Sequence, residues 1–213
     1  MKLGRELLTA GIAILVLTAI LGVAYPLAMT GIAQVAFPNK ANGSQITSGG
    51  KLVGSSLIAK PFVIDTGRKD SDGNPITRPD PRYFQPRPSQ TDYSGSSTFF
   101  SNRGPNQSSA RFFYRDALAG YLGLERRYDP GLTAAGVPVD AVTTSASGVD
   151  PHISQANARI QAHRIAAVRR LPMSRVDALI SDNTDGRFLG LFGEPGVNVL
   201  ELNLALDKES PAR

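Results

Sequence analysis

The chain has 213 residues, with 23 lysines and arginines against 18 aspartates and glutamates, two histidines and no cysteine. The lack of thiols excludes disulfides and cysteine chemistry. The formal excess of +5 is too mild to argue for a nucleic-acid partner, and none is expected.

From Leu7 through Asn39 no side chain is charged, and most of that run is aliphatic. About 20 apolar residues in a helix cross a hydrocarbon core of about 30 Å, so residues 7–36 read as a transmembrane helix. A secretory signal peptide has a shorter apolar core and closes on a small-residue cleavage site, which is missing here. Pro26 removes a backbone donor and crowds the preceding turn, so a kink is expected near Tyr25-Pro26. The small residues Thr18 and Gly22, and Ala24 and Ala28, stand four apart and allow a partner helix to approach closely. The terminal amine, Lys2 and Arg5 precede the span, which places residues 1–6 in the cytoplasm and residues 37–213 outside it.

Removing Lys2, Arg5 and Glu6 leaves 21 basic against 17 acidic residues in the remaining chain, which is long enough for one domain with a real core. Residues 37–44 carry turn chemistry around Asn42-Gly43, and Lys51–Ile58 reads as a short strand or strand pair. Between Asp65 and Gly136 the sequence is rich in Pro, Gly, Ser, Asp and Arg and reads as largely irregular. Two aromatic islands interrupt it: Tyr83-Phe84, expected to pin the loop to the core, and Phe112-Phe113-Tyr114, which opens a helical stretch.

The last third is regular. Val137–Val142 alternates like a strand, and Thr143–Gly148 follows as a loop of small residues. Ser154 caps a helix to about Arg170 with Ile153 as half of a hydrophobic staple, and Pro172 stops it. Ser174 then starts a second helix with Val176, Leu179 and Ile180 as its apolar stripe. Leu200, Leu202, Leu204 and Leu206 alternate with polar and small residues in the manner of a half-buried strand. The fold class is a single N-terminal transmembrane helix followed by a mixed α/β (α+β) extracytoplasmic domain.

Catalytic motifs are missing. No G-x-x-x-x-G-K-[ST] loop offers a cradle for nucleotide phosphates. His152 and His163 are eleven residues apart, about three helical turns, too far along an axis to share a metal, and no metal site is expected. A hydrolase would pair Ser145 or Ser147 with His152 and Asp150, yet neither serine sits in a G-x-S-x-G elbow. Arg164, Arg169, Arg170 and Arg175 read as a solvated helix face.

Several segments together resemble the C subunit of the bacterial Kdp-type potassium-transporting ATPase. They are Tyr25-Pro26-Leu27, Ala41–Ser44, Gly54-Ser55 with Leu57-Ile58, Tyr83–Ser89, Thr144–Ser154 and Val197–Asp207, in order along nearly the whole chain. Where members usually show Ser-Gly-Gly-Ser-Asn, this chain has Ser94-Gly95-Ser96-Ser97-Thr98, and residues 65–136 look longer than in compact members. The resemblance implies an accessory, non-catalytic subunit of a complex in the bacterial inner membrane. A channel-like subunit conducts potassium there and a P-type ATPase subunit is phosphorylated, so that ATP and potassium are handled by the complex and no cofactor belongs to this chain. The family is also described as a chaperone-like factor that raises the ATP affinity of the catalytic subunit, which the charge-bias topology opposes. Thr18, Gly22, Ala24, Tyr83, Phe84, Arg87, Ser145 and Ser147 are the candidate partner contacts. The competing reading is a membrane-anchored extracytoplasmic binding protein or hydrolase unrelated to potassium transport.

Overall fold

The computed structural model describes residues 2–97, 102–104 and 106–211, so Thr98, which ends the serine-rich stretch from Ser94, lies outside the described residues. The chain forms two compact units, residues 1–45 and residues 46–213.

The first unit is one long helix followed by a short one. Helix α1 (Lys2–Leu17), a π-helical stretch (Thr18–Ala24) and helix α2 (Tyr25–Ala36) run on without a break, and the whole is long and apolar enough to cross a membrane. The π stretch lies directly ahead of Pro26. A proline ring crowds the carbonyl four residues earlier, here that of Gly22, and the wider i→i+5 turn gives it room without ending the helix. Helix α3 (Pro38–Ala41) begins on a proline, whose missing N–H costs nothing at a first helical position. It ends at Asn42-Gly43, where Gly43 takes a positive φ of 83°.

The second unit starts with a hairpin of strands β1 (Gln45–Ser48) and β2 (Lys51–Ser55). Gly49 and Gly50 both have positive φ, as a two-residue hairpin turn requires. The strand expected over 51–58 therefore ends at Ser55. A second hairpin pairs β3 (Val63–Lys69) with β4 (Pro75–Pro79) and bulges between Asp65 and Arg68. At its tip the Asp70 carboxylate accepts from the N–H groups of Asp72 and Asn74. The region expected to be irregular thus holds a hairpin, and helix α4 (Ser108–Glu125) follows it.

The expected strand over 137–142 is instead a 3₁₀ turn, Val139–Ala141, which follows another at Ala134–Gly136. Asp140 is turned to a different use: its carboxylate accepts from the N–H and the hydroxyl of Ser154, at 2.8 Å each. Strands β5 (His152–Ile153), β6 (Thr184–Asp185) and β7 (Gly196–Asn198) form an antiparallel sheet in the order β5-β7-β6. Helices α5 (Gln155–Arg169), α6 (Met173–Asp182) and α7 (Val199–Glu209) supply most of the core, with Ile165, Val176, Ile180, Leu202 and Leu206 against Ile153 and Val197 of the sheet. The mixed α and β class is as the sequence indicated.

One boundary and one further element differ from expectation. Ser154 caps α5 as read, its hydroxyl accepting from the Asn157 N–H, and Arg170 closes the helix in the left-handed region. Helix α6, however, starts at Met173 behind Pro172, which puts Ser174 inside the first turn. The leucine alternation near the C-terminus belongs to a helix. Val199, Leu202, Asn203 and Leu206 are buried, a spacing of 3, 1 and 3 that is one helical stripe, and Asn198 caps it by accepting from the Glu201 N–H. Leu, Ala, Glu and Lys are strong helix formers and the segment is poor in β-branched residues, which outweighs an accidental period of two.

Candidate functional site

The segments that carry the resemblance converge. Residues 82–87 run without regular structure between α5 and α7, and side-chain amides hold their backbone as a neighbouring strand would. The Phe84 N–H donates to the Asn203 side-chain oxygen and its carbonyl accepts from the Asn203 amide, both at 2.9 Å. One residue on, the Gln85 N–H donates to Gln161 at 2.7 Å and its carbonyl accepts from the Gln161 amide at 3.1 Å. Buried backbone groups need partners, and this segment takes them from helix side chains in place of a sheet. The Phe84 ring is thereby fixed in the core.

Arg164 stands behind this segment, wholly buried. Its guanidinium donates to both carboxylate oxygens of Glu125 (3.0 and 3.1 Å), to the carbonyls of Pro81 (2.6 Å) and Tyr83 (2.9 Å), and to Gln161 (3.0 Å). Burial pushes the Glu125 carboxyl above its ordinary range against the pull of Arg164. Arg169 clamps the other side. It donates to the carbonyls of Arg82 and Ser210 and pairs with Asp207 at 2.8 Å, and its guanidinium lies 4.7 Å over the Tyr83 ring. The Tyr83 hydroxyl donates to Asp207 at 3.0 Å, and burial, then Asp207, raise its pKa. The arginines expected on a solvated face are therefore divided: Arg164 and Arg169 are buried polar rivets, while Arg170 and Arg175 are exposed.

A second knot joins residues 87–93 to the loop at 143–152. The Arg87 guanidinium contacts Asp150 (3.3 Å), the Thr143 hydroxyl and the Thr144 carbonyl. The Ser89 hydroxyl donates to the Gly148 carbonyl at 2.6 Å, and the Tyr93 hydroxyl to the Arg87 carbonyl at 2.7 Å. Burial pushes the Tyr93 phenol up to about 12. Gly148 has a positive φ of 76°, and a Cβ there would stand 2.8 Å from the Thr91 hydroxyl, so this turn needs glycine twice over.

The serines of the loop are spent on the turn. Ser145 accepts from the Gly148 N–H and Ser147 from the Val149 N–H. His152 faces carboxylates: Asp185 at 2.9 Å and Asp150 at 3.5 Å. The hydrogen bond to Asp150 leads the effects that raise its pKa. Burial works against ionised Asp150, but its bonds from His152 and the charge of Arg87 hold its pKa below the usual value.

Of the other candidate residues, Phe84 and Ser145 are buried, and Tyr83, Arg87 and Ser147 are half-buried. Thr18, Gly22 and Ala24 lie within the π stretch of the apolar helix and are exposed. Beside the 82–87 segment opens a cleft of about 470 Å³ whose lining includes Pro86, Pro88, Tyr93, Phe113, Tyr121 and Asp116. Among the described residues its lining has no lysine or arginine, so it offers an anionic triphosphate no countercharge. Sequence reasoning missed Asn203, Gln161, Glu125 and Asp140. For Asn203 and Gln161 the signal is a polar residue at a core position of a helical stripe, visible only once α5 and α7 are in register; Glu125, at the end of α4, and Asp140, in a 3₁₀ turn, carry no such pattern.

Comparison with known proteins gives a family for nearly the whole chain. The profile of a family described as KdpC, "K+-transporting ATPase, c chain", matches residues 7–208. The chain is 45% identical over 209 residues to the potassium-transporting ATPase KdpC subunit of Rhodospirillum rubrum, covering 97% of each chain. It is 47% identical to the protein of the same name from Polaromonas naphthalenivorans, covering 92% of this chain and 91% of the relative. To that of Streptomyces avermitilis it is 42% identical, covering 94% and 93%.

Proposed function

We infer the role of this chain from its family: it belongs to the KdpC family of K+-transporting ATPase c chains and is an accessory, non-catalytic subunit of that complex. One apolar helix near its N-terminus suits association with a membrane. We propose further that its partners are a potassium-conducting, channel-like subunit and a P-type ATPase subunit. Residues 1–6 lie in the cytoplasm, 7–36 cross the inner membrane and 37–213 stand outside the cell membrane.

The observation that carries this reading is the double knot of residues 82–93. Its family-like segments use their polar groups on one another and on α5: Asn203 on Phe84, Arg87 on the 143–150 loop, and Gln85 on Gln161. Such a body has few rotamers left to order when it binds, which lowers the entropy cost of assembly. We propose that Phe84 and Ser145 shape this platform from inside, while Tyr83, Arg87 and Ser147 reach its surface and Thr18, Gly22 and Ala24 pack against a partner helix. A tagged full-length chain drawn from membranes should bring a channel-like and a P-type ATPase subunit with it. Recovery of the chain alone from cells that express all subunits would overturn the proposal. The second reading, direct ATP binding in the cleft beside residues 82–87, is opposed by a mostly apolar lining that holds Asp116 and, among the described residues, no lysine or arginine, and a micromolar dissociation constant measured by calorimetry would restore it.

A further inference from the structure

Residues 186–195 link β6 to β7 and turn four large apolar side chains outward. Phe188, Leu189, Leu191 and Phe192 are 72, 75, 75 and 63% exposed. A plain connection is polar, because water is what surrounds it. This one is apolar and also tightly built. Phe188 and Phe192 exchange both backbone hydrogen bonds, at 2.8 and 3.0 Å, and Arg187 pairs with Glu194 at 2.9 Å below them. Leu189 at the turn has a φ of 53°, a left-handed conformation that a leucine rarely adopts.

The root of the loop is tied to the start of the same unit. Asn198 of β7 donates from its side chain to the Ser56 carbonyl at 2.8 Å, and Ser56 directly follows the β1–β2 hairpin. Strands of this length reach about 17 Å at roughly 3.3 Å per residue. Only residues 37–44 separate that hairpin from the apolar helix Lys2–Ala36. The covalent chain thus tethers the unit that carries the loop, through eight residues, to any bilayer that the helix crosses.

We propose that the Phe188–Phe192 tip binds the surface of the bilayer that the N-terminal helix crosses, with its four apolar side chains among the upper acyl chains. The Arg187–Glu194 pair then stands at headgroup depth, where charged groups meet lipid charges, and aromatic and leucine side chains below it enter hydrocarbon. The inference rests on the reading of residues 2–36 as a span, but not on which side of the membrane the domain occupies.

The chain has no tryptophan, so one introduced residue reports alone. The full-length Phe192→Trp chain is reconstituted in vesicles of phosphatidylcholine and phosphatidylglycerol and washed with alkaline carbonate. Its emission should shift to shorter wavelength and fall by about half when the acyl chains are brominated near the glycerol, the depth of an interfacial side chain. Val139→Trp, at another exposed apolar position, should show neither change. Equal quenching at both positions, or none at position 192 in a chain that survives the wash, would overturn the proposal. If the indole of the Phe192→Trp chain is shielded from aqueous quencher only when the partner subunits are present, the tip is a protein contact and the proposal fails too. A chain stripped by carbonate would refute the span and the lipid tip together.

Discussion

The Arg164–Glu125 pair gives the sharpest test of the buried lattice. Arg164→Met keeps much of the side-chain volume and removes the charge. It leaves the Glu125 carboxylate, 1% exposed, without its cation, and the carbonyls of Pro81 and Tyr83 without the guanidinium. Breaking a buried pair from one side costs about 3–5 kcal/mol, a large part of the roughly 5–15 kcal/mol that holds a domain together. Arg164→Met/Glu125→Met removes both charges. Both variants leave those carbonyls unpaired, so that cost cancels and the double variant should be more stable than the single one by most of the about 3–5 kcal/mol that the lone buried charge costs.

The loss should also depend on pH. The Glu125 carboxyl is raised by burial, so the stability tied to its protonated form is complete below its unfolded pKa and is lost as pH rises through the folded value. Without Arg164 the folded value rises further, and Arg164→Met should lose more stability at pH 8 than at pH 5. Guanidinium unfolding of the full chain in mild detergent, followed by the near-ultraviolet dichroism of its six tyrosines, reads these differences. A single variant within about 1 kcal/mol of the parent, or a double variant less stable than the single, would refute the reasoning, because either result means that the pair is not held as the buried network requires.

Other variants probe the remaining parts. Gly148→Ala should destabilise the domain by about 1–2 kcal/mol from the left-handed backbone alone, with the clash against Thr91 in addition, and a melting temperature equal to the parent's would show that the 143–150 turn is not fixed. His152 has a raised pKa, so its contribution is complete below its unfolded value and lost as pH rises through the folded one; His152→Gln should flatten the stability profile just above pH 6.5, and an unchanged slope would rule out the pairing with Asp150 and Asp185. Ser71→Cys, in the exposed turn of the β3–β4 hairpin of a cysteine-free chain, should react with an impermeant thiol reagent in intact cells; labelling only after lysis would reverse the proposed orientation. Gly22→Leu should weaken helix contact in lipid by about 1–2 kcal/mol and lower the yield of complex in detergent while leaving insertion intact, and a normal yield would make the span a tether.

How much of this was legible in the sequence depends on the range of the interaction that fixes each part. The apolar helix, the Ser154 cap and the Asn42-Gly43 turn follow from neighbours within a few residues, and they stand where local chemistry puts them. Helix α7 reads as a strand because its leucine alternation and its helical stripe share Leu202 and Leu206, and the burial of Val199 and Asn203, which the alternation leaves out, distinguishes the two. The burial of Asn203 has a cause 119 residues away, at the Phe84 backbone. The same holds for Arg164, whose partners lie at Glu125 and Pro81: read by itself, an arginine on a helix is most simply solvated. The segment of residues 82–87 has no periodicity, since its hydrogen bonds go to side chains of two helices instead of to a ladder. What makes it recognisable is the fixed order of its residues, Tyr-Phe-Gln-Pro-Arg-Pro-Ser, and each of the first three places its backbone against a specific amide or guanidinium. A motif of this kind can mark a family without containing a reaction centre, because the demand on it comes from geometry inside the domain. Substitutions at Asn203 or Gln161 should therefore reach potassium transport only through loss of the folded platform. A variant such as Gln161→Leu that lowered uptake while melting like the parent would refute this, because Gln161 would then act on transport other than through the fold.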